Sequence, residues 1–198
     1  MLSTKGTEKI KPLIIILLLI PSFYWTYLLF VGNLGVNPIE KLMDNLGEMA
    51  LRLIIFTLFI SSLSEIKYFR SLIAIRRTIG LFAFFYVCLH FLSYIILDHF
   101  FNMEFIIKDI IKRPFITFGF ISFLCLIPMA VTSFNKIIKK LGYKLWKKIH
   151  YLIYPAAILS SLHFYMLTRA NKTEPLIYIT IIVILLSYRI YKRFFTRR

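Results

Sequence analysis

Acidic residues are scarce in this chain, which has 9 Asp and Glu against 25 Lys and Arg and a formal net charge of +16. A basic excess of this size is compatible with binding to nucleic acid or to an acidic membrane surface. The basic residues fall almost entirely in the gaps between apolar runs, which is where a membrane protein retains them. We therefore expect contact with membrane lipid and no binding to nucleic acid.

Cysteine is also scarce, and the common catalytic motifs are missing. Cys88 and Cys125 each lie in an apolar run, where a thiol behaves as a small hydrophobe. We predict neither a disulfide framework nor a cysteine metal site. No phosphate-binding loop, nucleophile elbow, catalytic carboxylate pair or dinucleotide fingerprint occurs in the sequence.

Apolar residues are abundant, at 59% of the chain with a mean hydropathy of +0.76, whereas soluble domains have about 45–50%. A helix that crosses about 30 Å of hydrocarbon needs about 20 apolar residues. Six runs meet this requirement, at about 13–31, 46–63, 78–97, 114–134, 145–167 and 175–191. We predict an all-α membrane protein, a six-transmembrane-helix bundle that forms a single domain over residues 1–198.

The basic residues also predict the orientation of the bundle. They concentrate in the amino-terminal tail, in the loops after spans two and four, and in the carboxy-terminal tail. Since cytoplasmic loops carry an excess of Lys and Arg, both termini are expected in the cytoplasm. Spans one, three and five then run outward.

Three histidines lie inside the predicted spans, where an ionisable side chain is costly and is a functional-site hypothesis by default. At 1.5 Å per residue, His90 lies about 18 Å along span three and His163 lies about 20 Å beyond His150 on span five. His90 and His163 therefore reach similar depths in the outer half. Because imidazole is an axial ligand of haem iron, this pair predicts a bis-histidine haem site.

His150 remains near the cytoplasmic face and is a weaker candidate for a second haem. Its counterpart in depth on span three is Arg77, which cannot ligate iron. About 100° of rotation per residue places His150 and His163 roughly 220° apart, so they do not share a face unless Pro155 alters the winding. All three histidines also allow a simpler reading, as hydrogen-bonding residues between helices.

The roles of the other charged residues near the predicted spans can be interpreted in more than one way. Arg52, inside span two, either neutralises a haem propionate or extends to the membrane interface. On composition alone, Arg76 and Arg77 are a charge cluster that sets topology. We expect His99, beside Asp98, to be a solvated loop residue.

Short motifs occur in a fixed order along nearly the whole chain. They are Leu34-Gly-Val-Asn-Pro38, Gly47-x-x-Ala-Leu-Arg52, Arg76-Arg-Thr-Ile-Gly-Leu81, Leu89-His-x-x-Ser-Tyr94, Arg113-Pro-Phe-Ile-Thr-x-Gly119, Thr132-Ser133 and Leu141-Gly-x-x-x-Trp-x-x-x-His150. Together they resemble the MsrQ (YedZ) family, the haem-binding membrane subunits of periplasmic methionine-sulfoxide reductase systems. That family lies within the ferric-reductase-like transmembrane superfamily.

The resemblance implies a b-type cytochrome of the bacterial inner membrane that binds haem b, one or two per chain, and FMN. It implies an electron-transfer subunit rather than the catalytic one. Electrons would come from quinol, or from a cytosolic flavin reductase, and pass to MsrP, a periplasmic molybdenum-cofactor enzyme that reduces methionine sulfoxide in oxidised proteins. Matched motif by motif, the haem ligands fall on His90, His150 and His163, and the flavin-associated arginines fall on Arg76 and Arg77.

Ferric reductases and NADPH oxidases that resemble this membrane core append a flavin and nicotinamide domain, which we do not find in this sequence. We therefore expect electrons to enter and leave through partners. Two other functions stay open at this point. One is a free-standing ferric or cupric reductase that uses the same haem, and the other is a haem-free membrane scaffold or transporter.

Overall fold

The computed structural model describes residues 4–195, with side chains described over 9–192. This part of the chain contains eight α-helices and no strand. The helices are α1 (Thr4–Phe30), α2 (Pro38–Leu63), α3 (Ile73–Ser93), α4 (Met103–Lys112), α5 (Pro114–Val131), α6 (Asn135–Ile149), α7 (Ile153–Leu167) and α8 (Thr173–Phe195). A 3-10 helix, Lys67–Leu72, leads into α3, a π-helix, Tyr94–Asp98, extends it, and a 3-10 helix, His150–Leu152, joins α6 to α7.

Within the described range, five helical segments are long and apolar enough to cross a membrane. They are Lys9–Phe30, Pro38–Leu63, Lys67–Asp98, Pro114–Val131 and Thr173–Lys192. The chain is therefore an all-helical, multi-pass membrane protein. These segments correspond to five of the six predicted spans, and a sixth crossing over 145–167 stays a prediction.

The predicted fifth span is divided in the structure. Its predicted start at residue 145 falls inside α6, and α7 itself has 15 residues. The helical path continues through the junction, because the φ and ψ angles of Ile149 and His150 stay in the right-handed helical region. Pro155 explains the tighter winding before it, since proline has no N–H and its ring crowds the carbonyl four residues earlier, that of Tyr151.

Two of the helices were not predicted as such, because α4 and all but the last five residues of α6 lie in segments expected to be loops. Both are short and carry charged residues on one face, so a search for about 20 consecutive apolar residues passes over them. Gly142 interrupts α6 with a φ of +75°, a conformation that glycine adopts at low cost. The predicted amphipathic piece before span two is continuous with α2, which begins at Pro38.

Helices α2 and α3 pack along each other, and so do α5 and α7. The second pair is close because Ala156 and Ala157 are fully buried and lack bulk between the two backbones. The Ser122 hydroxyl on α5 donates to the Ala156 carbonyl on α7 over 2.9 Å. On the other side, the Tyr86 hydroxyl on α3 donates to the Leu18 carbonyl and ties α1 to the bundle.

Helix α8 is fixed to α2 at two levels. At one level, Arg52 on α2 donates to the Tyr178 hydroxyl over 2.7 Å and pairs with Glu174 at 3.1 Å. At the other, Arg189 on α8 donates over 2.9 Å to the Leu58 carbonyl and over 3.2 Å to the Ser62 hydroxyl. These polar contacts at two levels set the register of α8 along α2.

Candidate functional site

A cavity lies between the α2–α3 pair and the α5–α7 pair, with about 1020 Å³ of empty space when its open mouth is included. Its wall is mostly apolar and aromatic, with Phe91, Phe120, Phe123 and Phe164 among the lining residues. A space of this size and composition is typical of a site for a large, mainly apolar ligand.

His90 on α3 and His163 on α7 face each other in this cavity. Their ring centroids are 6.2 Å apart, and the ring planes are inclined by 78°. An imidazole nitrogen binds a metal ion at about 2.0 Å and lies roughly 1 Å from its ring centroid, so two axial imidazoles on one iron have centroids about 6 Å apart. The structure thus brings together the two histidines that were predicted to reach one depth, at the separation that a shared iron requires.

Each of these imidazoles is held by a backbone carbonyl of a neighbouring helix. The Nδ1 of His90 donates to the Met43 carbonyl on α2 over 2.9 Å, and the Nδ1 of His163 donates to the Phe115 carbonyl on α5 over 2.6 Å. A carbonyl oxygen can only accept, so Nδ1 carries the proton in both rings. Nε2 is then the nitrogen with a lone pair for a metal, as in metal sites whose histidines donate their second nitrogen to a carbonyl.

Tyr94 adds a hydroxyl to a mostly apolar wall, in which the other polar residues besides the histidines are Asp44, Glu48, Ser122 and Ser160. Its side chain lines the cavity, and its hydroxyl is buried without a hydrogen-bond partner among the described residues. A buried donor that lacks a partner costs about 1–3 kcal/mol, so a polar group on a bound ligand would stabilise it. Paired imidazoles, aromatic walls and one unpartnered hydroxyl together fit a haem.

Arg52 lies outside the cavity wall and already has partners. Besides Glu174 and Tyr178, its guanidinium pairs with Glu48 at 2.7 Å, and about half of its side chain is exposed. A haem propionate would therefore compete with two carboxylates for this arginine. The proposed propionate contact stays a prediction that no contact in the structure supports.

His150 lies apart from the other two histidines, at the junction of α6 and α7. Its ring packs on Trp146 with centroids 4.1 Å apart, and its Nδ1 donates to the Trp146 carbonyl over 3.0 Å. Thirteen α-helical steps would place His150 and His163 about 140° apart by the shorter arc, and the 3-10 turn, at about 120° per residue, reduces this to roughly 80°. The two histidines still face different surroundings.

Arg76 and Arg77 lie at the start of α3, close enough to His150 to interact with it electrostatically. Arg77 donates to the Asn135 side chain over 2.5 Å, and Arg76 contacts Ser61. Arg189 approaches Arg76 closely enough for the two guanidinium groups to repel each other. None of the three arginines forms an ion pair with a carboxylate among the described side chains.

His99 lies in a bend outside the helices, as expected, but the expectation that it is solvated was wrong. Only 17% of its side chain is exposed, and its ring packs edge-on against Tyr94 with centroids 4.5 Å apart. Its Nε2 lies 3.6 Å from the buried carboxylate of Asp109 on α4. This packing depends on α4, a helix that the hydropathy pattern does not predict.

Sequence reasoning also missed Gly47, Gly119 and Tyr94 as site residues, although each lies inside one of the motifs quoted above. For Gly119, the available signal was a glycine inside an apolar span, where it weakens the helix by about 1 kcal/mol and therefore suggests a packing requirement. Gly47, at the start of a span, and Tyr94 carried no signal of this kind. Arg189 was counted only as a topogenic charge, and its contacts with α2 become visible only in the folded bundle.

Comparison with known proteins agrees with this geometry. The profile described as "Ferric reductase like transmembrane component" matches residues 46–161. A protein-methionine-sulfoxide reductase heme-binding subunit MsrQ from Herminiimonas arsenicoxydans is 41% identical over 185 residues, covering 92% of this chain and 84% of the relative. The chain belongs to the MsrQ family. MsrQ subunits from Caulobacter vibrioides and Rhodospirillum rubrum are 43% and 42% identical, over 82% and 87% of this chain and 78% and 83% of their own lengths.

Membership of the MsrQ family confirms the resemblance read from the ordered motifs. The alignments cover most of the chain, and the profile match contains α3, α5 and most of α2 and α7. These are the four helices that surround the cavity. The profile match therefore includes His90, Gly47 and Gly119 but ends two residues before His163, which only the longer alignments with the MsrQ relatives reach.

Proposed function

We propose that this chain is the b-type cytochrome subunit of a protein-methionine-sulfoxide reductase system, with a haem b held between His90 and His163. The observation that carries the proposal is the pair of imidazoles, 6.2 Å apart with both Nδ1 atoms donating to carbonyls. The relatives named as haem-binding subunits of that system support it.

The chain's own residues fix where the cofactor lies and what surrounds it. Haem iron supplies one-electron transfer, which no side chain in the cavity can provide. His90 and His163 would hold the iron through Nε2, and aromatic side chains such as Phe91 and Phe123 would exclude water from it. The Tyr94 hydroxyl, which lacks a protein partner, is available to donate to a polar substituent of the cofactor.

The direction of electron flow follows from the orientation we propose. Both termini lie in the cytoplasm, six helices cross the bacterial inner membrane, and α3 runs outward, so the cavity lies in the outer half. Quinol, or a cytosolic flavin reductase, supplies electrons. The acceptor is MsrP, the periplasmic molybdenum-cofactor partner, where two electrons and two protons reduce each sulfoxide to a thioether and release water.

The cytoplasmic side of the bundle carries a second proposed site, for FMN. Arg76, Arg77 and Arg189 form a basic cluster without a carboxylate counter-ion among the described side chains, and arginine suits a phosphate group. His150 lies beside this cluster. A second haem at His150 would need its other axial ligand from a residue other than His90 and His163, which face the main cavity.

Replacing Arg76 and Arg77 together by alanine is expected to lower the FMN that copurifies with the protein about tenfold or more, because each charged hydrogen bond to a phosphate contributes roughly 1.5–3 kcal/mol. The copurified FMN is measured by its fluorescence after release from the protein with acid. The matched control is Lys139→Ala, which removes an exposed positive charge from α6. Equal flavin in the double variant and the control would argue for a purely topogenic role of the two arginines.

The profile that matches the chain gives a specific reason to keep a second candidate function, that of a free-standing ferric reductase. The two functions predict different acceptors for the same haem. A sulfoxide relay needs its periplasmic partner, whereas ferric reduction does not.

The deciding experiment uses the full chain purified in detergent, with its haem quantified as the pyridine haemochrome and then reduced under anaerobic conditions. We expect a b-type spectrum that is reoxidised only when MsrP and methionine sulfoxide are both added. Reoxidation by ferric citrate alone, at a comparable rate, would favour the ferric reductase. A colourless protein would leave a membrane scaffold or transporter as the function.

A further inference from the structure

Two glycines lie directly beneath the two imidazoles. A Cβ atom added to Gly47 on α2 would lie 3.1 Å from Nδ1 and 3.2 Å from Cε1 of His90. A Cβ atom added to Gly119 on α5 would lie 2.9 Å from Nδ1 of His163 and 3.1 Å from Cε1. Ordinary van der Waals contacts of a Cβ begin at 3.4 Å, so neither position accepts a side chain unless the ring moves.

The same arrangement occurs on both sides of the cavity. The carbonyl that accepts from His90 belongs to Met43, four residues before Gly47, and the carbonyl that accepts from His163 belongs to Phe115, four residues before Gly119. In an α-helix, residues four apart lie one above the other on the same face. Each imidazole therefore lies over a glycine and donates to the carbonyl one turn away.

We propose that Gly47 and Gly119 are positioning residues that set the height, tilt and tautomer of the two haem ligands. A larger residue on either helix would lift the ring away from the backbone, lengthen the bond from Nδ1 to the carbonyl and turn Nε2 away from its partner. This inference rests on the proposed haem site but concerns a separate property, the orientation of the ligands within it.

The effect of alanine can be separated from general damage to the helix. Alanine favours a helix by about 1 kcal/mol over glycine, so a loss caused by Gly47→Ala or Gly119→Ala runs against helix propensity. Gly80 on α3 is the matched control, because its added Cβ would meet only Thr57 at 3.7 Å, an ordinary contact. Gly80→Ala makes the same chemical change within a membrane helix, away from the histidines.

The test measures haem per polypeptide and the electron paramagnetic resonance spectrum of the ferric protein for the three variants and the wild type. That spectrum depends on the angle between the axial imidazole planes, which is 78° between the rings here. We expect the haem content of Gly119→Ala to fall at least fivefold, or to be retained with a changed low-spin spectrum. The change in haem content or spectrum should be smaller in Gly47→Ala. Gly80→Ala should match the wild type.

Wild-type haem content and an unchanged spectrum in both Gly47→Ala and Gly119→Ala would overturn the inference while leaving the haem site intact. If Gly119→Ala fails to fold, as judged by thermal unfolding, Gly47→Ala alone decides, because its closest contact is longer. A wild-type protein without haem would instead refute the proposed function, so the two failures are distinguishable.

Discussion

Alanine in place of His90 or His163 is expected to abolish the b-type haem spectrum of the purified protein. Each residue supplies one of the two imidazoles that lie 6.2 Å apart, so in the proposed site either change would leave the iron with a single histidine in a mostly apolar cavity. We expect haem per polypeptide to fall tenfold or more in each single variant. The measurement is the pyridine haemochrome, normalised to the amount of folded protein recovered from gel filtration.

The other two histidines provide the controls. His99→Ala removes an imidazole that packs against Tyr94 and approaches Asp109, and we expect it to retain the main haem. His150→Ala distinguishes a second haem, because it should remove about half of the iron if two haems bind and almost none if one does. Normal spectra in both His90→Ala and His163→Ala would refute the site.

Ala156→Leu is expected to separate α5 from α7 and to destabilise the protein. Ala156 is fully buried, and its carbonyl accepts from the Ser122 hydroxyl at the contact between the two helices. Overpacking of a tight contact costs about 1–3 kcal/mol. Because α5 carries Gly119 and α7 carries His163, the same change should also weaken haem binding.

The change is measured as a lower Tm in detergent, and as haem loss that begins at a lower temperature than in the wild type. Ile158→Phe is the control, since it enlarges a side chain on α7 that is 44% exposed toward the lipid. A Tm for Ala156→Leu equal to that of this control would show that the contact between α5 and α7 is loose.

The pairing of His90 with His163 could be predicted from the sequence because the helical rise per residue converts residue number into depth in the membrane. Five spans followed for a similar reason, since crossing a membrane requires long apolar runs. Both inferences use one dimension of the molecule, position along the membrane normal. Position along the membrane normal does not show which helices lie side by side, so contacts between helices could not be predicted from it.

What the sequence left open depends on which helices are neighbours. Two roles were open for Arg52, at a haem propionate or at the membrane interface, and neither pointed to Glu174, which lies 122 residues further along the chain and becomes adjacent only when α8 packs on α2. The need for glycine at 119 depends in the same way on the arrival of His163 from α7. The helix α4, which buries His99, lacks the long apolar run by which spans are recognised.

The polar contacts that join α8 to α2 at two levels bear on the kinetics of the proposed relay. Tyr178, near the start of α8, is bonded to Arg52, and Arg189, near the end of α8, is bonded to Leu58, so α2 cannot slide along α8 without breaking hydrogen bonds at both levels. Helix α2 also carries the carbonyl that holds His90. If the proposed haem binds there, an imidazole with such an anchor would move little when the iron changes charge, and a small movement of the ligands would favour fast electron transfer.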